Sequence, residues 1–451
     1  MPMYRFFYVV PISHSCSYRN NTYIRVMIQD RLEEFKYSAL SDDKKHPASQ
    51  IWDTGVWLGL CLFVLFIPVN KPASTAGEVI ALAAWLPGWL NQISRAYRIA
   101  RYKANPMLLI FPAFFLLHIL GLLWTEDMPQ GMHEINMAHY LLVLPAIIGS
   151  LEMQRKHLYA ILGCFLFSNL VAGILTIYIR QMDHPILNAE LYLPSPFISR
   201  PRASLFYAFS LLLWMELPFH IQLRRPFVVV GWLLCTAIMV IALFNLEGRT
   251  GQLAFAVTLP IWLVLRFVHK HRMLWFGVFL LGSMILGWLS YQYIGNINRR
   301  FNEAIEEIQS YKEGFKDRNA NDTSVARRFI FWEKSWEVFK SAPLIGVGTG
   351  DLNQSVAPLF LADSRGVTPN KPHIQLLEYA VKFGIIGASL FLLGWWRYVL
   401  GTQKTYQPLM YGFSALCFIS MLSESTLDTQ AGISFFVVCI TLLFHTGTQI
   451  K

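Results

Sequence analysis

The chain has 451 residues, 54% of them hydrophobic and only 15% charged, with a mean hydropathy of +0.40. A water-soluble domain carries about a quarter charged residues, so a soluble globular enzyme is excluded and lipid must cover most of the surface. The net charge of +10 is read as loop orientation rather than a polyanion partner, and no nucleic acid is expected. The resulting class is an all-α integral membrane protein.

In chain order, long apolar runs fall at 53–70, 76–92, 106–124, 137–150, 157–179, 202–220, 226–244, 251–268, 274–294, 374–396, 408–423 and 431–447. At about 20 residues per helix these make about twelve spans, the second and fourth interrupted by Pro87 and Pro145. Ahead of them, no cleavable signal is read in the first 50 residues. Between the ninth and tenth runs, Phe301, Ile305, Ile308, Tyr311 and Phe315 recur at helical spacing. After the turn at Asn319, a second amphipathic helix carries Val325, Phe329, Trp332, Trp336 and Phe339 on one face. That face could lie on the bilayer or pack on the first helix. Pro343 ends the helix and opens a glycine-rich loop to Asp351.

Basic residues alternate between connections. Arg95, Arg98, Arg101 and Lys103, then Arg155 and Lys156, Arg224 and Arg225, Arg266, Lys270 and Arg272, and Arg397 and Lys404 mark one side as cytoplasmic. The acidic connections, with Glu126, Asp127, Glu134, Asp183, Glu190, Glu247, Glu424 and Asp428, fall outside. The expected organisation is a cytoplasmic tail at 1–52, transmembrane helices one to nine at 53–294, a periplasmic loop domain at 295–373, and helices ten to twelve at 374–451. Both termini are then cytoplasmic.

Within the runs, His118 and His139 are the main ionisable residues and are read as packing groups. A proton-coupled transporter, which needs carboxylates or broken helices near the midplane, is disfavoured. Polar groups collect instead at the outer ends: Arg200 and Arg202 before the sixth run, Arg249 before the eighth, His373 before the tenth, Glu424 after the eleventh and Lys71 after the first. Guanidinium forks suit phosphate oxygens; the competing reading is snorkelling to headgroups. Glu378 and Lys382, four apart, are read as a helical ion pair. Gly346-Val-Gly-Thr-Gly350 lacks the Lys-Ser/Thr of a nucleotide loop. The six cysteines form no disulfide framework or CxxC metal site, and no metal or cofactor is expected.

The run Arg327-Arg328-Phe-Ile-Phe-Trp332, then Pro343-Leu-Ile-Gly346-Val-Gly348, Pro372-His373 and Gly384-Ile-Ile-Gly387, resembles the signature of the O-antigen ligase/polymerase superfamily of bacterial membrane glycosyltransferases. Ser199-Arg-Pro-Arg202, Gly248-Arg-Thr-Gly251 and Ser423-Glu-Ser-Thr-Leu427 fit it as well. The chain departs from the pattern after the histidine, where Ile374 stands in place of the frequent Asn and Gln375 comes next. The resemblance implies a GT-C-like fold in the bacterial inner membrane. It implies a metal-independent glycosyltransferase using an undecaprenyl-pyrophosphate-linked glycan at the periplasmic face, with lipid A core or another glycan as acceptor. His373, Arg249 and Arg202 become the catalytic candidates. Arg200, Arg327, Arg328, Lys71 and Glu424 become substrate-binding candidates, with either Arg200 or Arg202 as the site arginine. O-antigen ligation is the first reading; polymerisation of repeat units and protein O-glycosylation share the signature, and an exporter of lipid or polysaccharide is the alternative outside it.

A cysteine at Asn319 in a cysteine-less background should react with an impermeant maleimide in intact spheroplasts, whereas one at Gln403 should not. The reverse labelling pattern would overturn the orientation.

Overall fold

The computed structural model describes residues 47–181, 198–221, 225–246, 248–267, 274, 277, 280–282, 295–315, 319–401 and 407–449. The tail before residue 47, most of the ninth run, the loop residues Arg224, Lys270, Arg272, Lys404, Asp183, Glu190 and Glu247, and the side chain of Phe301 lie outside the described residues. The chain divides into two compact units, Met1–Trp52 and Asp53–Lys451. The second unit carries the helical bundle and the candidate site.

Among the described residues the structure is helical, without strands. In order, α1 is Pro47–Phe66, α2 Lys71–Trp85, α3 Gln92–Lys103, α4 Ile110–Gly121, α5 Met128–Ala138, α6 Tyr140–Ser150, α7 Arg155–Gln181 and α8 Arg200–Glu216. Then come α9 Pro226–Asn245, α10 Arg249–Phe267, α11 Gly295–Lys312, α12 Ala326–Ser341, α13 Leu352–Leu361, α14 Gln375–Gly401, α15 Gln407–Met421 and α16 Gln430–Gln449. Among the described residues, five stretches are long and apolar enough to cross a membrane: Pro106–Trp124, Arg155–Ile179, Pro226–Asn245, Arg249–Phe267 and Gln375–Val399. The other expected spans that lie within the described residues fall short of that length and hydropathy. Pro87 separates α2 from the short turn Pro87–Leu90, and Pro145 lies inside the 11-residue α6, because proline removes a helix hydrogen bond.

Lipid is as apolar as the helices, so their association rests on close packing. α10 packs along α8 and α15, α9 along α7, and α16 along α6. The ring of Phe435 on α16 lies 4.5 Å from Phe206 of α8, 5.4 Å from Phe165 of α7 and 5.6 Å from Phe413 of α15. Where backbones must approach, small residues stand: a Cβ at Gly77 of α2 would come 2.3 Å from the Phe63 backbone of α1. Ionisable groups are more numerous in the helices than the sequence suggested. Glu216 of α8 is buried, accepting from Trp262 Nε1 at 2.8 Å with Arg266 at 3.3 Å and His220 at 2.8 Å. His139 pairs with buried Glu78 at 2.9 Å, whereas His118 is a packing group, held by Phe114 O at 2.8 Å.

The segment 295–373 has a core of its own, formed by Ala320, Ile330, Phe331, Val338, Leu352, Val356, Phe360 and Val367 and closed by Val381 of α14. The buried face of α12 is Ala326, Ile330, Phe331, Ser335 and Val338, not the expected face of Val325, Phe329, Trp332, Trp336 and Phe339. α12 is apolar on two sides, and contact with α13 and α14 selects one. The other forms a groove with Ile308 and Tyr311 of α11, in which Phe329 lies 5.2 Å from Tyr311 and Trp336 stays half exposed.

Docking of this segment depends on a break in α14. Gly384 takes φ +63° and ψ −158°, outside the helical region. The interruption leaves carbonyls of the preceding turn free: Val347 N–H donates to Val381 O at 2.9 Å and Gly348 N–H to Lys382 O at 3.1 Å, while Ile385 N–H donates back to Pro343 O at 2.8 Å. The glycine-rich loop then continues onto the α4–α5 connection. Thr349 Oγ1 donates to His118 O at 2.7 Å, and the Asp351 carboxylate accepts the N–H groups of Glu126 and Asp127 at 2.8 Å each. The loop is a latch.

Gly346 sits in this latch at φ +72°, where an added Cβ would stand 2.4 Å from the Lys382 carbonyl; Gly366, at φ +61°, has open space around it. Gly366→Ala should therefore cost only the left-handed backbone penalty of about 1–2 kcal/mol. Gly346→Ala should lower the thermal midpoint in detergent by clearly more, because the clash adds to the same penalty. Equal shifts would refute the latch.

Candidate active site

Two helix starts and one helix end meet at the end of the bundle that carries the 295–373 segment. α8 begins with Arg200 and α10 with Arg249, and the packing of α10 on α8 is made close by glycine. A Cβ at Gly251 would stand 2.3 Å from the Ser204 backbone, and Gly251 N–H donates to Ser204 Oγ at 3.1 Å. That contact explains the spacing Gly248-Arg-Thr-Gly251: the glycines seat the helix start while Arg249 projects from it. The turn after α15 joins the same place, with Ser423 Oγ donating to Thr250 Oγ1 at 3.2 Å.

Glu424, in that turn, is the hub. Its Oε1 accepts from Arg328 Nη2 of α12, and its Oε2 lies 3.5 Å from His373 Nδ1. Phe331, one turn along α12 from Arg327 and Arg328, sets its ring 5.7 Å from the His373 imidazole. Burial pushes the Glu424 carboxyl up, but the His373 hydrogen bond and the charges of Arg328 and Arg202 outweigh it and hold the group below the ordinary carboxylate value. Around this hub, several arginine N–H groups are unsatisfied. Arg202 Nη1 donates to Ser199 Oγ at 2.9 Å and Arg249 Nη2 reaches Glu303 at 3.5 Å. Yet Arg202 Nε, Arg249 Nη1 and Arg327 Nε are buried with no hydrogen-bond partner among the described residues. A buried donor without an acceptor is costly, and such groups face an acceptor that the protein itself does not supply.

The structure thus brings together His373, Glu424, Arg328 and Arg202, and holds Arg249 beside them through the Thr250–Ser423 bond. Arg327 is turned partly aside, donating to Asn321 O at 3.0 Å. Arg200 is half-buried at the first position of α8, its carbonyl against Gly248. Lys71 is exposed at the start of α2 and forms no ion pair with the group. His373 differs from expectation in its backbone. Pro372, a residue type favoured at helix starts, places His373 by sequence in the first turn of the tenth span; in fact α14 begins at Gln375, and His373 precedes it at φ +54°. For a residue with a β-carbon this costs about 1–2 kcal/mol, so other contacts must hold it.

Sequence spacing missed the polar network behind the hub. Lys382 pairs with Glu378 at 2.6 Å, as the i,i+4 spacing implies, but also with Glu134 of α5 at 3.0 Å and Asp428 at 3.3 Å. Asp428 in turn pairs with Lys371, and Gln375 Oε1 accepts Leu427 N–H at 2.6 Å. Each partner is distant in sequence, which local periodicity cannot reveal. Among the described residues no cluster of three or more His, Cys, Asp or Glu side chains has the arrangement of a metal site.

Residues 234–392 match the model of the O-antigen ligase family. The match covers about a third of the chain, and over that segment the protein is similar to the O-antigen ligase family. The matched segment holds Arg249, Arg327, Arg328, His373, the latch and the Gly384 break, whereas Arg200, Arg202 and Glu424 come to the site from outside it. An uncharacterized protein of Haemophilus influenzae is 24% identical over 356 residues, covering 75% of this chain and 77% of the relative. The similarity supports a glycosyltransferase-like role in glycan assembly.

Because the Glu424 carboxyl is held below its ordinary value near 4.3, its contribution to stability is present above that value and is lost as pH falls through the lower folded one. Glu424→Gln should melt below wild type at pH 7, and the gap should narrow as the pH is taken below about 4. Parallel melting curves across that range would contradict the assignment.

Proposed function

We propose that the protein transfers a glycan from undecaprenyl pyrophosphate to an acceptor hydroxyl at the periplasmic face of the inner membrane, with lipid A core as the first acceptor to test. The observation that carries this reading is the pairing of one imidazole with buried, unsatisfied arginine donors. His373 is backed on Nδ1 by Glu424, leaving Nε2 for the acceptor. Arg202 Nε and Arg249 Nη1 offer N–H groups to an anion, and the starts of α8 and α10 add their helix dipoles in the same place.

In this mechanism Nε2 of His373 removes the acceptor proton as the hydroxyl oxygen bonds to the anomeric carbon. The bond from that carbon to the pyrophosphate oxygen breaks, and the leaving pyrophosphate keeps the electron pair. Arg202 and Arg249 stabilise that developing charge. Glu424 orients the imidazole and stabilises its cation. Arg328, paired to Glu424, brings α12 over the site, so the loop segment and the helix ends present their charged groups together. The donor is already activated, so the displacement itself requires no nucleotide.

The test is single-turnover transfer by purified protein with donor binding measured in parallel. His373→Ala should lose about 10²–10⁴-fold in rate while still binding the donor, and His373→Gln should not restore it. Arg202→Ala and Arg249→Ala should instead weaken competition by free undecaprenyl pyrophosphate without loss of thermal stability. A rate for His373→Gln above about a tenth of wild type would remove His373 as the base, given the expected 10²-fold minimum. Unchanged competition in stable arginine variants would leave snorkelling as their role.

A further inference from the structure

His373 is tied on both sides to the turn that carries Glu424. Two residues before it, Lys371 pairs with Asp428; two residues after it, Gln375 Oε1 accepts the Leu427 N–H at 2.6 Å. Leu427 and Asp428 belong to the single 3-10 turn Thr426–Asp428, which lies just beyond Glu424. The imidazole and the carboxylate thus stand on two short segments stapled together on either side of the point where they meet. We propose that Lys371, Asp428 and Gln375 are positioning residues, a clamp that holds His373 in its left-handed backbone with Nδ1 against Glu424. This inference rests on His373 acting as the base.

The clamp has a fixed side and a movable side. Asp428 has a side chain only 4% exposed and lies 3.3 Å from Lys382. Lys382 is itself anchored by Glu378 and Glu134, so Asp428 is held from α14 and α5 whether or not Lys371 is present. The segment 371–374 carries no regular structure, and Lys371 is its only residue with an ion pair to the fixed side apart from His373 itself. Gln375 is 1% exposed, and its Nε2 is buried with no partner among the described residues. An apolar side chain would fill that position without leaving a donor unpaired, so what the position gains from glutamine is the Oε1 acceptor for Leu427. The chain departs from its family pattern here, having Ile374 next to the histidine and the amide one residue later. In this structure that later amide makes no hydrogen bond to the imidazole; it secures the turn that bears the imidazole's partner.

The experiment uses the full-length protein in detergent, comparing kcat, donor KM and melting temperature. Lys371→Met and Asp428→Asn should each lower kcat roughly 10- to 100-fold, the scale of a misplacement near 1 Å, with donor KM within about twofold of wild type. Lys371→Arg, which keeps the ion pair, should retain most of kcat. In a His373→Ala background neither Lys371→Met nor Asp428→Asn should cost anything further, because there is no imidazole left to position. Asp428→Asn leaves Lys382 with two carboxylates and should fold; if it does not, Lys371→Met, at a side chain 30% exposed, decides the matter alone. Wild-type kcat in folded Lys371→Met sinks the clamp. So does a raised KM at unchanged kcat, which would mean that Lys371 touches substrate, and so does a further loss in the His373→Ala background. An active His373→Ala protein overturns the base and the clamp together, whereas an inactive one with unimpaired Lys371→Met overturns the clamp alone.

Discussion

One interrupted helix holds the segment 295–373 onto the helical bundle. Had α14 run unbroken through Gly384, the carbonyls of Val381 and Lys382 would have been engaged within the helix, and the glycine-rich loop would have had no acceptors to dock on. The break turns a spanning helix into a receiving edge for the segment 295–373. From that docking come the position of α12, the reach of Arg328 to Glu424 and the contact of Phe331 with His373. The same helix, two residues before the break, supplies Lys382 to the polar network and, at its start, Gln375 to the turn beyond Glu424. Latch, network and candidate site are thus successive features of a single element.

The electrostatics are arranged on the same plan. Charges at this end of the bundle are not scattered over headgroups; most are satisfied by partners from other elements, Arg328 by Glu424, Lys382 by three carboxylates and Lys371 by Asp428. Against that background of satisfaction, the unpaired N–H groups of Arg202, Arg249 and Arg327 are distinctive. An arginine that merely snorkelled would place its donors in water, whereas these are buried. A second buried pairing, Glu216 with Arg266 and His220, lies at the far end of α8 and α10; it ties the same two helices together at the opposite end from the Ser204–Gly251 contact, so their relative position is set at both ends.

Much of this was legible in the residues alone. Composition required a membrane protein, because a chain with so few charges cannot cover itself in water. Helical periodicity located α11 and α12, and the polar residues at helix ends singled out Arg202, Arg249, His373 and Glu424, since charge near hydrocarbon is expensive and is seldom placed without cause. Local spacing also found the Glu378–Lys382 pair. Each of these inferences needs only neighbours in sequence or the cost of moving a group out of water, and both are properties of the chain before it folds.

Tertiary structure decided the rest. The sequence singled out the side of α12 with Phe329, Trp332 and Trp336, and contact with α13 and α14 chose Ile330, Phe331 and Val338 as the buried one. Pro372 suggested a helix start at His373, but ties from Lys371 and Gln375 to a turn distant in sequence hold that residue in a left-handed conformation that no local rule favours. The glycine loop lacks the residues of a nucleotide loop, and the sequence assigned it no role; its glycines serve close approach to a helix that breaks at Gly384. The division has a physical basis. Burial and periodicity are set by each residue's own chemistry, whereas pairing, strain and orientation depend on which distant groups share a small buried volume, and that is defined only once the chain has closed on itself.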